Sequence, residues 1–501
     1  MPAKKTRRSA VLALALLLAA AVPVRATTPP AFTVVDTIQP GADGSYAVDL
    51  ADSAVLGDYL YFTARVASGY TQLWRSNGTT TEMVKDINPT NDAYPDHYLT
   101  VGDTLYFTAD DGTHGYELWR TDGTSAGTTM VKDINTSGDG DPSALVAVGS
   151  TLYFKADDGT NGYELWRSDG TSAGTTMVKN INVGDSSDPN YLTAFGSYVY
   201  FRADDGINDT ELWRSDGTSA GTTMVKDIST SGSGSPRYFT ALGSYLYFAA
   251  SDGVNGQELW RTNGTEAGTT MVKDISAAGS GSPRYFTQLG SYLYFRATND
   301  TTDIELWRTD GTEAGTTLVK DIAPSGDSYP SDLKKFGNYI YFYATDGTNG
   351  AEVWRTDGTE AGTTQWYEVV AGSFGGNPYA FTPLGDYLYF TAYNGGTGDS
   401  VYRTDGVTSE RVPFPIDADQ YVSCDCYDTS LITVGGRLFS TVYSSATGNE
   451  FAYLDEPTYV LPETNRDGSV GSAWTIALSA LALVTLAAGV GLRRRAGATQ
   501  R

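Results

Sequence analysis

Along most of this chain, short apolar segments alternate with clusters of Gly, Asp, Asn, Ser and Thr. In one stretch the segments read SALVAVG, STLYFKA, YELWRS and TTMVKNI, covering residues 143–181 with their connections. None is long enough for a typical helix, and their β-branched and aromatic content predicts four strands. The DDGTNG between the second and third segments predicts a hairpin loop, because Gly and Asn accept the positive φ such loops need. The SDGT after Trp166 predicts another turn.

This unit recurs. Trp74, Trp119, Trp166, Trp213, Trp260, Trp307 and Trp354 are 45, 47, 47, 47, 47 and 47 residues apart, and Tyr402 takes the same slot 48 later. Nine LYF-type strand motifs start at Leu60, Leu105, Leu152, Val199, Leu246, Leu293, Ile340, Leu388 and Leu438. A V-K-D-I strand follows each early Trp segment, whereas the ninth unit, ending in Glu450-Phe451-Ala452-Tyr453, has none after it. A spare copy, Val34-Val35-Asp36-Thr37-Ile38, lies ahead of the first unit. Four short strands per period of this length predict an all-β chain, a β-propeller of eight or nine four-stranded blades closed by the N-terminal strand. Phe32 to Ile38 is expected to pair with Phe451 to Leu454, hiding edges that would otherwise associate. A β-solenoid whose ends do not meet is the alternative.

The copies ELWRTDGT at Glu117, ELWRSDGT at Glu164 and Glu211, and ELWRTDGT at Glu305 resemble the ELWxxDGT repeat of bacterial surface proteins. That resemblance implies a repeat architecture and no particular reaction. A second resemblance is to the tryptophan-docking repeat of quinoprotein propellers, carried by Ala109, Asp111, Gly115 and Trp119, by Ala156, Asp158, Gly162 and Trp166, and by two further sets ending at Trp260 and Trp354. It implies that Trp74, Trp119, Trp166, Trp213, Trp260, Trp307 and Trp354 dock neighbouring blades.

The ends are different in kind. Lys4, Lys5, Arg7 and Arg8 precede the apolar run Ala10 to Val22 and a small-x-small site before Thr27, so residues 1–26 read as a secretory signal peptide. Residues 27–457 hold the repeats, and 458–473 a linker. Residues 474–492 are uncharged and long enough to span a bilayer, with the basic tail 493–501 retained inside. Within the linker, Leu461, Pro462 and Thr464 belong to LPETN, which resembles the LPxTG sorting signal with Asn in place of Gly, and implies sortase as a partner; a plain membrane anchor is the other reading. Export to a bacterial cell surface follows from these segments together.

A formal charge of -25 with 59 acidic residues makes nucleic acid a poor partner. The acids also raise calcium: Asp157, Asp158, Asn161 and Glu164 put several oxygen donors in one loop, although the spacing is not that of an EF-hand and turn chemistry accounts for the same residues. Cys424 and Cys426, one residue apart, read as free thiols. His97 and His114 do not recur and read as surface loop residues. Among aromatics outside the repeat core, Tyr94, Tyr98, Tyr191, Tyr238, Tyr285, Tyr329 and Tyr379 fall between blades. The duplicated Pro-Arg-Tyr of Tyr238 and Tyr285 either stacks a sugar ring or caps a strand.

Catalysis needs a few differently tuned groups gathered once, whereas repeats distribute equivalent groups around a ring. The expectation is therefore a surface-anchored binding or adhesion module for an extracellular glycan, polymer or protein, with a multivalent acidic face and no catalytic residues of its own. The alternative is a propeller enzyme of the quinoprotein-dehydrogenase or polysaccharide-lyase kind.

Overall fold

Residues 31–35, 49–66, 69–396, 398–413, 421–422, 431–444 and 448–456 are described by the structure, a computed structural model. Every regular element among them is a β-strand. Seven blades are separate four-stranded antiparallel sheets, the first built from Asp49–Leu56, Tyr59–Arg65, Thr71–Ser76 and Thr81–Lys85, the seventh from Ser331–Phe336, Tyr339–Ala344, Glu352–Thr356 and Thr364–Tyr367. The eighth comprises Tyr379–Leu384, Tyr387–Tyr393, Asp399–Thr404 and Ser409–Arg411. The ninth takes Ile432–Val434, Arg437–Ser444 and Gly448–Asp455 from the end of the repeats and Thr33–Val34 from their beginning. A two-residue strand, Tyr421–Val422, pairs with both Asp399–Thr404 and Arg437–Ser444 and so ties the last two blades into one sheet.

The chain is thus a nine-bladed β-propeller, and its closure is the one the spare N-terminal strand predicts. Thr33 faces Tyr453 and Val34 faces Ala452 in antiparallel register, and the Val35 N–H donates to the Phe451 carbonyl at 2.8 Å. Phe32 is buried at 1% exposure with Leu438, Val442, Ala452 and Leu454. The solenoid alternative is excluded by the other seam, where Leu50, Leu60, Phe62 and Ala64 of the first blade share a core with Val434, Phe439 and Phe451 of the ninth.

The first strand of each blade packs against the first strand of the next, so these strands line the centre of the ring. Between blades the core repeats itself: Tyr106, Leu118, Val131 and Ile134 of the second blade enclose Leu152, Phe154, Ala156 and Trp166 of the third. Trp119, Trp166, Trp213, Trp260, Trp307 and Trp354 are all buried in such seams, while Trp74 at the closing seam is partly exposed. Lys85, Lys132, Lys179 and Lys320 each reach across a seam to the following blade; Lys132 Nζ lies 5.8 Å from the Trp166 ring and donates to the Thr175 carbonyl at 2.9 Å. The Gly of the DGT turn is needed there: Gly170 has φ of +87°, and a Cβ on it would stand 2.4 Å from the Tyr106 hydroxyl.

The Glu of ELW has a structural job that sequence reading does not reveal. Glu164 is fully buried, and its carboxylate accepts from the N–H groups of Ile181 (2.9 Å) and Asn182 (3.2 Å) and from the Ser187 hydroxyl (2.6 Å). It holds the loop leading to the next blade. Glu117, Glu211, Glu258, Glu305 and Glu352 do the same, and in the first blade Gln72 does it without charge, accepting from Ile87 N–H at 2.8 Å and donating to the Asn88 carbonyl at 2.8 Å. Burial pushes Glu117, Glu211, Glu258 and Glu305 up to about 7 against the pull of those N–H groups.

No helix among the described residues is long and apolar enough to cross a membrane. The span expected at 474–492, the signal peptide, Leu461, Pro462, Thr464, Cys424 and Cys426 lie outside the described residues.

Candidate active site at the rim of the ring

The second to eighth blades are each entered through a loop of the form x-Pro-x-x, from Tyr94-Pro95-Asp96-His97 to Asn377-Pro378-Tyr379-Ala380. In all seven the first and last residues are non-glycine at positive φ, 41° to 50° and 50° to 61° respectively. The last residue sits where the inner strand slips register against its neighbour, as between Asp96 and Leu99. A bulge of this kind re-aims a side chain out of the regular ladder, and a left-handed non-glycine costs about 1–2 kcal/mol. Seven such positions recur, one at the entry of each of the second to eighth blades.

The residues at these positions differ from blade to blade while the framework does not. The bulge position carries His97, Ala144, Tyr191, Tyr238, Tyr285, Asp332 and Ala380 in turn. The residue before it pairs on the second strand with Thr108, Lys155, Arg202, Ala249, Arg296, Tyr343 and Thr391 in turn. Bulge residues of successive blades can touch: Tyr191 and Tyr238 meet edge to face at 5.8 Å.

Between the second, third and fourth blades this rim opens into a cavity of about 630 Å³. His97 lines it with Asp96, Thr108, Tyr116, Lys155 and Tyr163. The backbone N–H of His97 donates to Asp52 Oδ2 at 2.5 Å and to Asp96 Oδ1 at 2.8 Å. Its Nδ1 lies 3.6 Å from Asp96 Oδ2 and 3.5 Å from Thr108 Oγ1 on the neighbouring strand. On the other wall Lys155 Nζ pairs with Asp188 Oδ1 at 2.6 Å and lies 4.6 Å from the centre of the Tyr163 ring. The Tyr163 hydroxyl donates to Asp141 Oδ2 at 2.8 Å. Burial first, and then the Asp141 carboxylate, push the Tyr163 hydroxyl up to about 12; burial and Asp110 do the same for Tyr116. Both phenols therefore keep their protons at neutral pH, and that of Tyr163 is engaged by Asp141. Asp52, Asp96 and His97 bring their ligand atoms within 4.8 Å of one another, making them the set among the described residues that could hold a cation.

Further around the same rim, Tyr238, Phe239, Thr240, Arg284, Tyr285 and Phe286 line a second cavity of about 280 Å³. Tyr238 and Tyr285, expected as ligand-stacking or strand-capping residues, are both bulge residues of this rim. The calcium expectation fares differently. Asp158 accepts from the N–H groups of Thr160 and Asn161 at 2.9 and 2.8 Å, and Asp157 from Gly159 N–H at 2.7 Å. Asn161 accepts from Asn180, and Glu164, buried in the strand Tyr163–Ser168, accepts from the loop after the blade, so the structure does not gather Asp157, Asp158 and Glu164 at one point. His114 lies in a hairpin loop with Nδ1 2.9 Å from Asp111 Oδ2. His97, read from the sequence as a surface loop residue, is exposed, and it stands in a column of non-equivalent residues that appears when the 47-residue units are laid over one another.

No family model matches the chain, and no curated protein does. Among solved structures it is similar to a puromycin hydrolase (15% identity, 71% of this chain and 61% of that one, TM-score 0.36), to a prolyl endopeptidase studied for inter-domain dynamics (12%, 72% and 54%, 0.37) and to a Mycobacterium tuberculosis puromycin-hydrolyzing peptidase (13%, 74% and 62%, 0.36). The chain spans between about half and three-fifths of the length of these proteins.

The adhesion expectation is corrected here. The multivalent acidic face on which it rested is missing where it was expected, since Glu117, Glu164, Glu211, Glu258 and Glu305 are fully buried.

Proposed function

We propose that this protein is an enzyme working by acid–base chemistry at the cavity around His97. One observation carries the reading: His97 and Lys155, each the single residue of its type at its position in the second to eighth blades, line one cavity together with Tyr116 and Tyr163. His97, oriented by Asp96 and Thr108, serves as the proton acceptor. Tyr116, held protonated by burial and by neighbouring Asp110, serves as the donor. Lys155, fixed by Asp188 in the same cavity, offsets negative charge that develops on the substrate. A base, a donor and a cation in a wide open mouth suit an extended substrate, and of the two enzyme kinds weighed from the sequence they suit the polysaccharide lyase.

The test is turnover of acidic and neutral polysaccharides by the purified protein, scored by chain cleavage. His97→Ala and Tyr116→Phe should each lower the rate by about 10²-fold or more with an unchanged melting temperature. Rates in both variants equal to that of the parent, or no cleavage of any polysaccharide, would remove the reading.

A further inference from the structure

Arg284 and Arg296 of the sixth blade are opposed in register on neighbouring antiparallel strands. Like charges directly opposite each other cost stability, and a sheet normally avoids them or places an acid between them. Here, among the described residues, neither guanidinium has a carboxylate or carbonyl partner, and Arg284 Nε is buried without one. In a chain with 59 acidic residues against 34 basic ones, two such arginines are not short of potential partners elsewhere. What surrounds them is aromatic. Arg296 lies 5.6 Å from the Tyr285 ring and 5.4 Å from the Tyr329 ring, and Arg284 lies 5.7 Å from Tyr285. Tyr285 and Tyr329 are 46% and 43% exposed, so each presents part of a ring to solvent.

The arrangement continues along the rim in the direction of the His97 cavity. Arg237 lies 5.6 Å from Tyr238, with its Nε also buried and unpartnered, and Arg202 lies 4.9 Å from Tyr191. Arginine and tyrosine therefore recur together on the fourth, fifth and sixth blades, next to the second to fourth blades that carry the cavity. Burial, and then the Arg284 charge, hold the Arg296 guanidinium below its ordinary range, which is the electrostatic cost of leaving the pair uncompensated.

We infer that this arginine–tyrosine arc is a binding subsite for an anionic carbohydrate, with Arg284 and Arg296 receiving a carboxylate or sulfate and Tyr285 and Tyr329 flanking the sugar ring. Guanidinium forks match the two oxygens of such anions, and exposed tyrosine faces supply flat apolar area for the C–H face of a sugar. The blade-to-blade recurrence fits a chain with an anion on successive units better than a single small anion. The inference rests on the proposed function in making the ligand the substrate; the subsite itself does not depend on turnover.

Calorimetry with the whole protein separates the two. A galacturonate hexasaccharide should bind with salt-sensitive affinity and cellohexaose should not. A sulfated heparin hexasaccharide in a parallel arm tells sulfate from carboxylate, and binding of either acidic sugar supports the subsite. Arg284→Gln and Arg296→Gln should each weaken that binding by about tenfold or more while the melting temperature holds or rises, because each relieves a like-charge pair. His97→Ala should bind as the parent does, so charge-dependent binding without turnover would keep the subsite and sink only the enzyme. Failure of both acidic sugars, equal binding of cellohexaose, tighter binding of single-stranded DNA, or arginine variants with unaltered affinity would overturn the inference.

Discussion

The ring of Phe62 in the first blade stacks on that of Phe451 in the ninth, with centroids 4.9 Å apart and planes 29° from parallel. The contact joins residues from opposite ends of the repeats, and Phe439 continues the stack at 5.2 Å from Phe451. Phe451→Ala should cost about 3–5 kcal/mol, as buried aromatic truncations do. Phe32→Ala, at the neighbouring seam where the N-terminal strand docks, should cost a similar amount. Denaturant titration checks both, and unaltered midpoints would mean that the ring is not held at this seam.

Trp166→Ala should also cost about 3–5 kcal/mol, since it empties the seam shared with Tyr106, Leu118 and Val131. Trp74→Ala should cost less because Trp74 is only partly buried. Equal losses would show that exposure at the closing seam is immaterial to docking.

Stability should rise as pH is lowered from 8 to 5. Glu117, Glu211, Glu258 and Glu305 have folded values of about 7 against an ordinary 4.5, so between these values the folded chain holds protons that the unfolded chain has released. Their contribution is fully present below 4.5 and lost as pH passes 7. The turn residues Asp122, Asp169, Asp216, Asp310 and Asp357, each held low by the hydroxyl of the Thr two positions on, act in the opposite sense and only below about 3.8, outside this window. Replacing the four glutamates by Gln, as Gln72 stands in the first blade, should flatten the dependence. Denaturant midpoints at pH 5 and pH 8 decide it; a midpoint that rises with pH would contradict the burial argument.

His97→Gly should leave the melting temperature unchanged or higher, because glycine relieves the left-handed backbone at φ 56°, and should abolish turnover because the imidazole is gone. A variant that lost stability along with activity would assign His97 a structural role instead.

The period of the Trp residues and the stray strand at Val34 made the architecture and its closure readable before any coordinates, because a blade cannot bury its faces without neighbours. The blade number was not readable: the ninth sheet has no Trp and borrows Thr33–Val34, and the short strand Tyr421–Val422 has no counterpart in the repeat. The site was harder still. A Glu in a strand beside a turn reads as an exposed acid, and only packing shows Glu164 folded inward onto Ile181 and Asn182. His97 reads as a lone loop residue because local sequence does not reveal that seven left-handed bulges converge on one rim. Tyr238 and Tyr285 were legible because the Pro-Arg-Tyr around them is duplicated while its surroundings vary.

The most direct test of the account is a comparison of kcat and KM for the parent protein and His97→Ala on an acidic polysaccharide that the parent cleaves. A fall in kcat of about 10²-fold or more with KM nearly unchanged is expected if His97 moves the proton and the arginine–tyrosine arc holds the chain. An unchanged kcat, or the absence of cleavage of any polysaccharide by the parent, would contradict a reaction centre at this rim.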